Sequence, residues 1–212
     1  MAKKEEPPKT RGTIFVISAP SGSGKSTLVK RLMAASPDLR FSVSYTTRGP
    51  RAGEVNGKDY FFVSRKVFAG MVRRKEFVEW ADVYGHFYGT AHRQLRAVQD
   101  AGNDILLDID VQGHQQVRRR LPDAVSVFIL PPSFQELARR LRDRHSDAPE
   151  EIDRRLGTAR KEIGHWTEYD YLVVNDDLKA ATRALRAIVR AAHFRRHSQA
   201  ARAEKIIGTF GG

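Results

Sequence analysis

The segment Ala19-Pro20-Ser21-Gly22-Ser23-Gly24-Lys25-Ser26-Thr27 combines residue types that could do chemistry. Gly22 and Gly24 permit a tight turn in which backbone N–H groups converge, Lys25 supplies a cation and Ser26 a hydroxyl. Such a set suits the oxygens of a nucleoside triphosphate, with Lys25 on the outer phosphates and Ser26 on Mg²⁺. The apolar run Ile14-Phe15-Val16-Ile17 precedes it and Leu28-Val29-Lys30-Arg31-Leu32-Met33 follows, giving the strand, turn and helix order of a phosphate-binding P-loop. Ala19 stands where the generic pattern G-x-x-x-x-G-K-S/T has its first glycine.

Other side chains could serve the same chemistry. Arg48 and Arg51, on a loop held by Pro50 and Gly53, form a fork for a phosphate to which Tyr60 could add a hydroxyl. Asp108 and Asp110 close the apolar run Ile105-Leu106-Leu107 and are expected to share one face of the sheet, where a P-loop protein keeps its Mg²⁺-directed acid. Spacing does not decide which of the two faces the metal. Arg140 and Arg144 are i, i+4 on one helix face, and Arg155 starts the next helix beyond His145, Ser146, Asp147 and Pro149. Taken alone, Glu79 reads as a solvent-facing carboxylate at a strand edge, and Asn175 as a helix cap. His86, His92, His114, His165, His193 and His197 show no metal-ligand spacing.

The elements that must position these groups alternate between strand and helix, which predicts an α/β fold with a mostly parallel sheet. Strands are expected at Ile14–Ile17, Ile105–Asp110, Val125–Leu130 and Tyr171–Val174. Phe41–Tyr45 is a short alternating run, and residues 46 to 57 should be loop. Tyr60–Val63 and Phe77–Trp80, with a helix from Ser64 to Arg74 between them, look like a small inserted lobe. Ala91–Ala101 is helical and stops at Gly102. Ser133 and Glu136 are placed for a capping box, and Asp147 to Glu151 opens a further helix. Leu185, Ile188, Val189 and Ala192 form the apolar stripe of a C-terminal helix whose arginines, from Arg183 to Arg202, fall on a solvated face.

Composition narrows the classes. At 212 residues with 41% hydrophobic and 29% charged residues the chain reads as an ordinary soluble protein. The absence of cysteine excludes disulfides and thiolate zinc sites. No apolar stretch approaches the roughly 20 residues of a membrane span, so a cytoplasmic location and no membrane partner are expected. The net charge of +12 suits a polyanion site, but no aromatic stacking platform or recognition motif accompanies it, so no nucleic-acid partner is expected. Monomer and homo-oligomer are left undecided.

Together, Ser44 to Tyr60, Phe77-Val78-Glu79-Trp80, Tyr88-Gly89-Thr90, Asp108-Ile109-Asp110-Val111-Gln112-Gly113, Arg140-Leu141-Arg142-Asp143-Arg144 and Val174-Asn175-Asp176-Asp177 resemble the guanylate kinase family over nearly the whole chain. That resemblance implies a P-loop three-layer sandwich with an inserted GMP-binding lobe and a helical lid. The divisions are a tail at 1–11, core at 12–43, GMP lobe at 44–91, core at 92–135, lid at 136–168, core at 169–199 and an extension at 200–212. It implies phosphoryl transfer from ATP to GMP with Mg²⁺. ATP would lie on Ala19 to Thr27 with Arg140 and Asn175, and Mg²⁺ on Ser26 and Asp108. Arg48, Arg51, Tyr60 and Tyr88 would hold the GMP phosphate; Ser44, Glu79, Thr90 and one of Asp108 or Asp110 would address guanine. Lys25, Arg48, Arg51, Arg144 and Arg155 would surround the transferred group. His145 stands where many members have glycine. The alternatives are a catalytically inactive phosphopeptide-binding module on the same fold, or a kinase for another small phosphorylated acceptor.

Overall fold

The structure is a computed structural model that describes residues 11–143 and 148–210. The apolar runs at 14–17, 105–107 and 125–129 are buried on both faces, the condition that favours parallel pairing. β1 (Ile14–Ser18) lies at the centre of a five-stranded sheet in the order β2-β7-β1-β8-β9, where β2 is Leu39–Phe41, β7 Asp104–Asp108, β8 Val125–Leu130 and β9 Tyr171–Val174. Every pairing in this sheet is parallel. Successive side chains of β1 enter opposite layers. Phe15 and Ile17 pack with Leu28 and Leu32 of α1 (Lys25–Ala34) and Leu185 and Val189 of α7 (Leu178–Ala192). Ile14 and Val16 pack with Leu95 of α3 (His92–Asp100) and Val117 of α4 (Val111–Arg120). The result is the expected α/β sandwich of three layers.

A second sheet, ordered β4-β3-β6-β5, is built from β3 (Tyr45–Thr46), β4 (Phe61–Phe62), β5 (Phe77–Val83) and β6 (His86–Ala91). Phe68 and Met71 of α2 (Arg65–Arg73) pack on its Tyr45 and Phe77. The Ser64 hydroxyl accepts from the Val67 N–H and starts that helix. α5 (Phe134–Arg142) and α6 (Pro149–Ile163) close on each other through Leu137, Leu141, Leu156 and Ala159.

Several expectations are corrected. The alternating run Phe41–Tyr45 is cut in two: Phe41 ends β2 in the first sheet and Tyr45 begins β3 in the second. Period 2 shows that a segment is extended, not which sheet takes it. β6 and α4 are additional elements; β6 is a short run broken by Gly89, and α4 has only Val111 and Val117 as apolar side chains, so neither shows a clear period. The C-terminal helical stretch is two helices, α7 and α8 (Arg196–Ile207), interrupted at His193–Arg195. Half of the capping box forms: the Ser133 hydroxyl accepts from the Glu136 N–H, while the Glu136 carboxylate turns to Arg139 and Arg140. α8 buries no residue, and Ile206, Ile207 and Phe210 are exposed. No described helix is long and apolar enough to cross a membrane.

Asp104 joins the edges of these layers. Its buried carboxylate accepts from the Thr13 N–H at 2.8 Å and lies 2.6 Å from His193 Nε2 at the end of α7. Asp104→Ala leaves the Thr13 donor unpaired and should lower the unfolding free energy by about 1–3 kcal/mol in urea titrations. An unchanged midpoint would contradict the clamp.

Candidate active site

The loop between β1 and α1 is shaped by backbone that only glycine adopts easily. Gly22 and Gly24 have φ of 93° and 84°. A Cβ at Gly24 would lie 2.4 Å from Asn175 Nδ2, and one at Gly22 would lie 2.9 Å from Leu137 and Leu141 of α5. Asn175 is buried after β9, and its Nδ2 donates to the Ser23 carbonyl at 2.7 Å. It therefore pins the loop and is not the cap of α7, a place taken by Asp177, which accepts from the Ala180 N–H. Arg140 donates to the Asn175 carbonyl at 3.0 Å and to Glu136 at 2.8 Å. Ala19 packs on the core beneath the loop, Pro20 is buried, and Ser26 and Thr27 are exposed in the first turn of α1.

The acid side is organised differently from the sequence expectation. Asp108 ends β7, is partly buried and pairs with Lys25. Asp110 lies beyond the strand, where it caps α4 by accepting from the Gly113 N–H at 2.8 Å. Only Asp108 lies on the strand: the chain leaves the sheet at Ile109, and Asp110 is presented from the start of α4.

Lys25, Ser26, Ser44, Tyr60, Glu79, Tyr88, Asp108 and Asp110 line one cleft of about 300 Å³ between the two sheets. Glu79 is its most unusual group. It is 3% exposed on β5, opposite fully buried Thr90 on β6, so the solvent-facing reading is overturned. Pairing with β6 and cover by α4 bury it: a Cβ at Gly113 would lie 2.7 Å from Glu79 Oε2. Burial pushes the Glu79 carboxyl up to about 7; neighbouring Asp110 adds to the rise, while Thr90 and Arg120 oppose it. The buried Thr90 hydroxyl faces the Glu79 carboxylate across the β5–β6 pair and favours its ionised form.

Beside Tyr60 and Tyr88, Arg48 is held by Glu54 through two bonds of 3.0 and 2.8 Å and reaches the Tyr88 hydroxyl at 3.3 Å. Its guanidinium also lies 5.4 Å from the Tyr60 ring centre. The Arg51 N–H donates to the same Glu54 at 2.7 Å, and the Arg51 side chain is exposed. The fork predicted from spacing is thus closed on an acid of its own loop. Bonding to Arg48 holds Glu54 below the usual carboxylate range.

On the other side of the loop, Arg155 of α6 donates to the Ser21 hydroxyl at 3.0 and 2.5 Å. Glu162 of the same helix lines the cavity over the loop, and burial, aided by Asp110, pushes its carboxyl up to about 7. Arg144, expected to join Arg155, and the hinge residue His145 lie outside the described residues. Glu54, Gly113 and Glu162 are members of the site that sequence reasoning did not assign. An acid beside two arginines was a usable signal for Glu54; nothing local marks the other two. Ser26 and Asp108 offer hard oxygen donors beside the loop, a set that fits Mg²⁺ carried in with phosphate oxygens.

This geometry places a phosphate-shaped loop, a paired lysine and a buried carboxylate around one cleft, which is suited to bringing a polyphosphate against a hydrogen-bonding acceptor. The guanylate kinase family model matches residues 11–192. The guanylate kinase of Dechloromonas aromatica is 50% identical over 191 residues, covering 90% of this chain and 95% of that protein. That of Koribacter versatilis is 55% identical over 190 residues, 88% of this chain and 82% of the relative. The crystal structure of guanylate kinase from Anaplasma phagocytophilum superposes with a TM-score of 0.75 at 36% identity, covering 91% of this chain and 92% of that one. With a matching family model, relatives of half-identical sequence and a shared fold, the chain belongs to the guanylate kinase family.

Proposed function

We propose that the chain transfers the γ-phosphoryl group of ATP to GMP, and that the cleft of Glu79 and Lys25 holds the acceptor. The observation that carries this reading is the buried Glu79 carboxylate, because guanine offers donors at N1 and N2 that one ionised carboxylate can accept together. Adenine lacks both and would leave the carboxylate buried and unpaired, a cost that a hydrogen-bonding site converts into strong discrimination. Ser44 and Asp110 complete the base site, with Thr90 beside the Glu79 carboxylate on the neighbouring strand.

Arg48, Arg51, Tyr60 and Tyr88 hold the GMP phosphate. Arg48 exchanges Glu54 for it, so the loop is preformed and the ion pair is what binding must open. ATP lies on Ala19 to Thr27, with Arg140 and Asn175 at the base side and Lys25 on the outer phosphates, where it leaves Asp108. In the transfer an oxygen of the GMP phosphate bonds the γ-phosphorus while the bond to the β-phosphate oxygen breaks, leaving ADP and GDP. Lys25, Arg155 and Arg144 neutralise the charge that moves. Ser26 and Asp108 would hold Mg²⁺, which supplies further neutralisation of the phosphates. No residue needs to become covalently modified.

Three outcomes test this assignment. In a coupled assay with Mg²⁺ and ATP, GMP should turn over and AMP, UMP and CMP should not, and Glu79→Gln should raise KM for GMP by roughly 100-fold or more with KM for ATP within about threefold. Equal losses for both nucleotides would sink the role of Glu79.

The second follows from its titration. Free Glu79 titrates near 7 and guanine needs the ionised form, so GMP binding should release protons around and below that pH and weaken as pH falls. The GMP phosphate, with a second pKa of about 6, titrates nearby, so the comparison is with Glu79→Gln, which should lose that share of the proton release in calorimetry across buffers. Identical proton release in both proteins would refute it.

Thirdly, Gly113→Ala should displace the Glu79 carboxylate and raise KM for GMP about tenfold, leaving KM for ATP within about twofold. An unaltered GMP KM would show that the α4 backbone does not fix that carboxylate.

A further inference from the structure

The tip of the β5–β6 hairpin carries a side chain in a backbone conformation that suits it poorly. Tyr84 and Gly85 form the turn with φ of 55° and 81°. A two-residue turn with both residues left-handed favours Asn-Gly, and an aromatic residue there is uncommon. Among the described residues, Lys75 is the only other non-glycine with positive φ. Asp82 steadies the turn by accepting from the Gly85 N–H at 2.7 Å.

What the strained residue gains is visible across the cleft. The Arg154 guanidinium of α6 lies 4.0 Å from the centre of the Tyr84 ring, while Glu151 grips the same guanidinium at 2.9 and 2.7 Å. Tyr84 is 42% exposed, so core packing does not explain its place. Arg155, the next residue of α6, donates to Ser21 of the phosphate loop. Asp82, Val83 and Tyr84 line the same cavity as Ser21, Arg155 and Glu162.

We propose that Tyr84 and Arg154 are positioning residues: the strained turn holds the aromatic face against α6, and this contact sets the helix so that Arg155 reaches the phosphate loop. β5 and β6 also carry Glu79, Tyr88 and Thr90, so the strands that form the acceptor cleft end in the contact that aligns the donor side. The inference rests on the reading that ATP occupies the Ser21–Lys25 loop.

Four variants of the full chain, one of them a double substitution, test it by steady-state kinetics with GMP and ATP and by thermal unfolding. Tyr84→Phe keeps the ring and should stay within about twofold of the parent in every constant, whereas Tyr84→Asn relieves the turn and removes the ring. Tyr84→Asn should melt no lower than the parent yet lose about fivefold in kcat/KM for ATP, with KM for GMP within about twofold. Adding Arg154→Ala to Tyr84→Asn should cost nothing further, although Arg154→Ala alone costs about the same fivefold. Additive losses, kinetics of Tyr84→Asn equal to those of Tyr84→Phe, or a Tyr84→Phe defect as large as that of Tyr84→Asn would overturn the proposal. A parent that turns over no GMP would instead overturn the assignment of the reaction.

Discussion

Parallel pairing of β1 with both β7 and β8 is the constraint on which the site depends. It aligns the carboxyl ends of three strands at one edge of the sheet, so the phosphate loop after β1, the carboxylate that ends β7 and the residues after β8 emerge together. The chain leaves β1 toward β2 on one side and later returns to β8 and β9 on the other, which opens a crevice at that edge. Asn175 then closes the arrangement: from the end of β9 it reaches the carbonyl of Ser23, a residue 152 positions earlier. Without the register of the sheet that contact could not form.

Charge in the cleft is balanced before any nucleotide enters. Lys25 faces Asp108, and Arg48 faces Glu54. These pairs orient the cations at little cost in buried unpaired charge, and phosphate oxygens can replace the carboxylates because they offer more acceptors of the same sign. Among the described residues, Glu79 has no such cation in direct contact. Burial answers by favouring the neutral form; under the proposed assignment guanine is the partner that restores the charge.

The geometry around the loop is shared among distant elements. α5 packs leucines beneath Gly22, α6 brings Arg155 to Ser21, and the second sheet brings Glu79 and Tyr88 from the other side. α8 lies beyond the span matched by the family model and buries nothing in the core.

Much of this was legible in the residues because it is local. Glycine spacing before Lys25 specified the turn, the apolar runs specified parallel strands, and Ser64 and Ser133 marked helix starts where their side chains accept from the next turn. The resemblance identified the family from motifs spread along the chain. Local sequence failed where the outcome depended on which remote surface a residue meets. Glu79 looks like an exposed strand carboxylate until β6 and α4 cover it, and Asp110 looks like a strand residue until it caps α4 and lines the cleft beside Asp108 from there. Likewise the Arg48 fork is open in the sequence and closed on Glu54 in the fold. Backbone preference and periodicity act over a few residues and are written in the sequence itself; burial and charge pairing depend on the full three-dimensional neighbourhood, which only tertiary packing supplies.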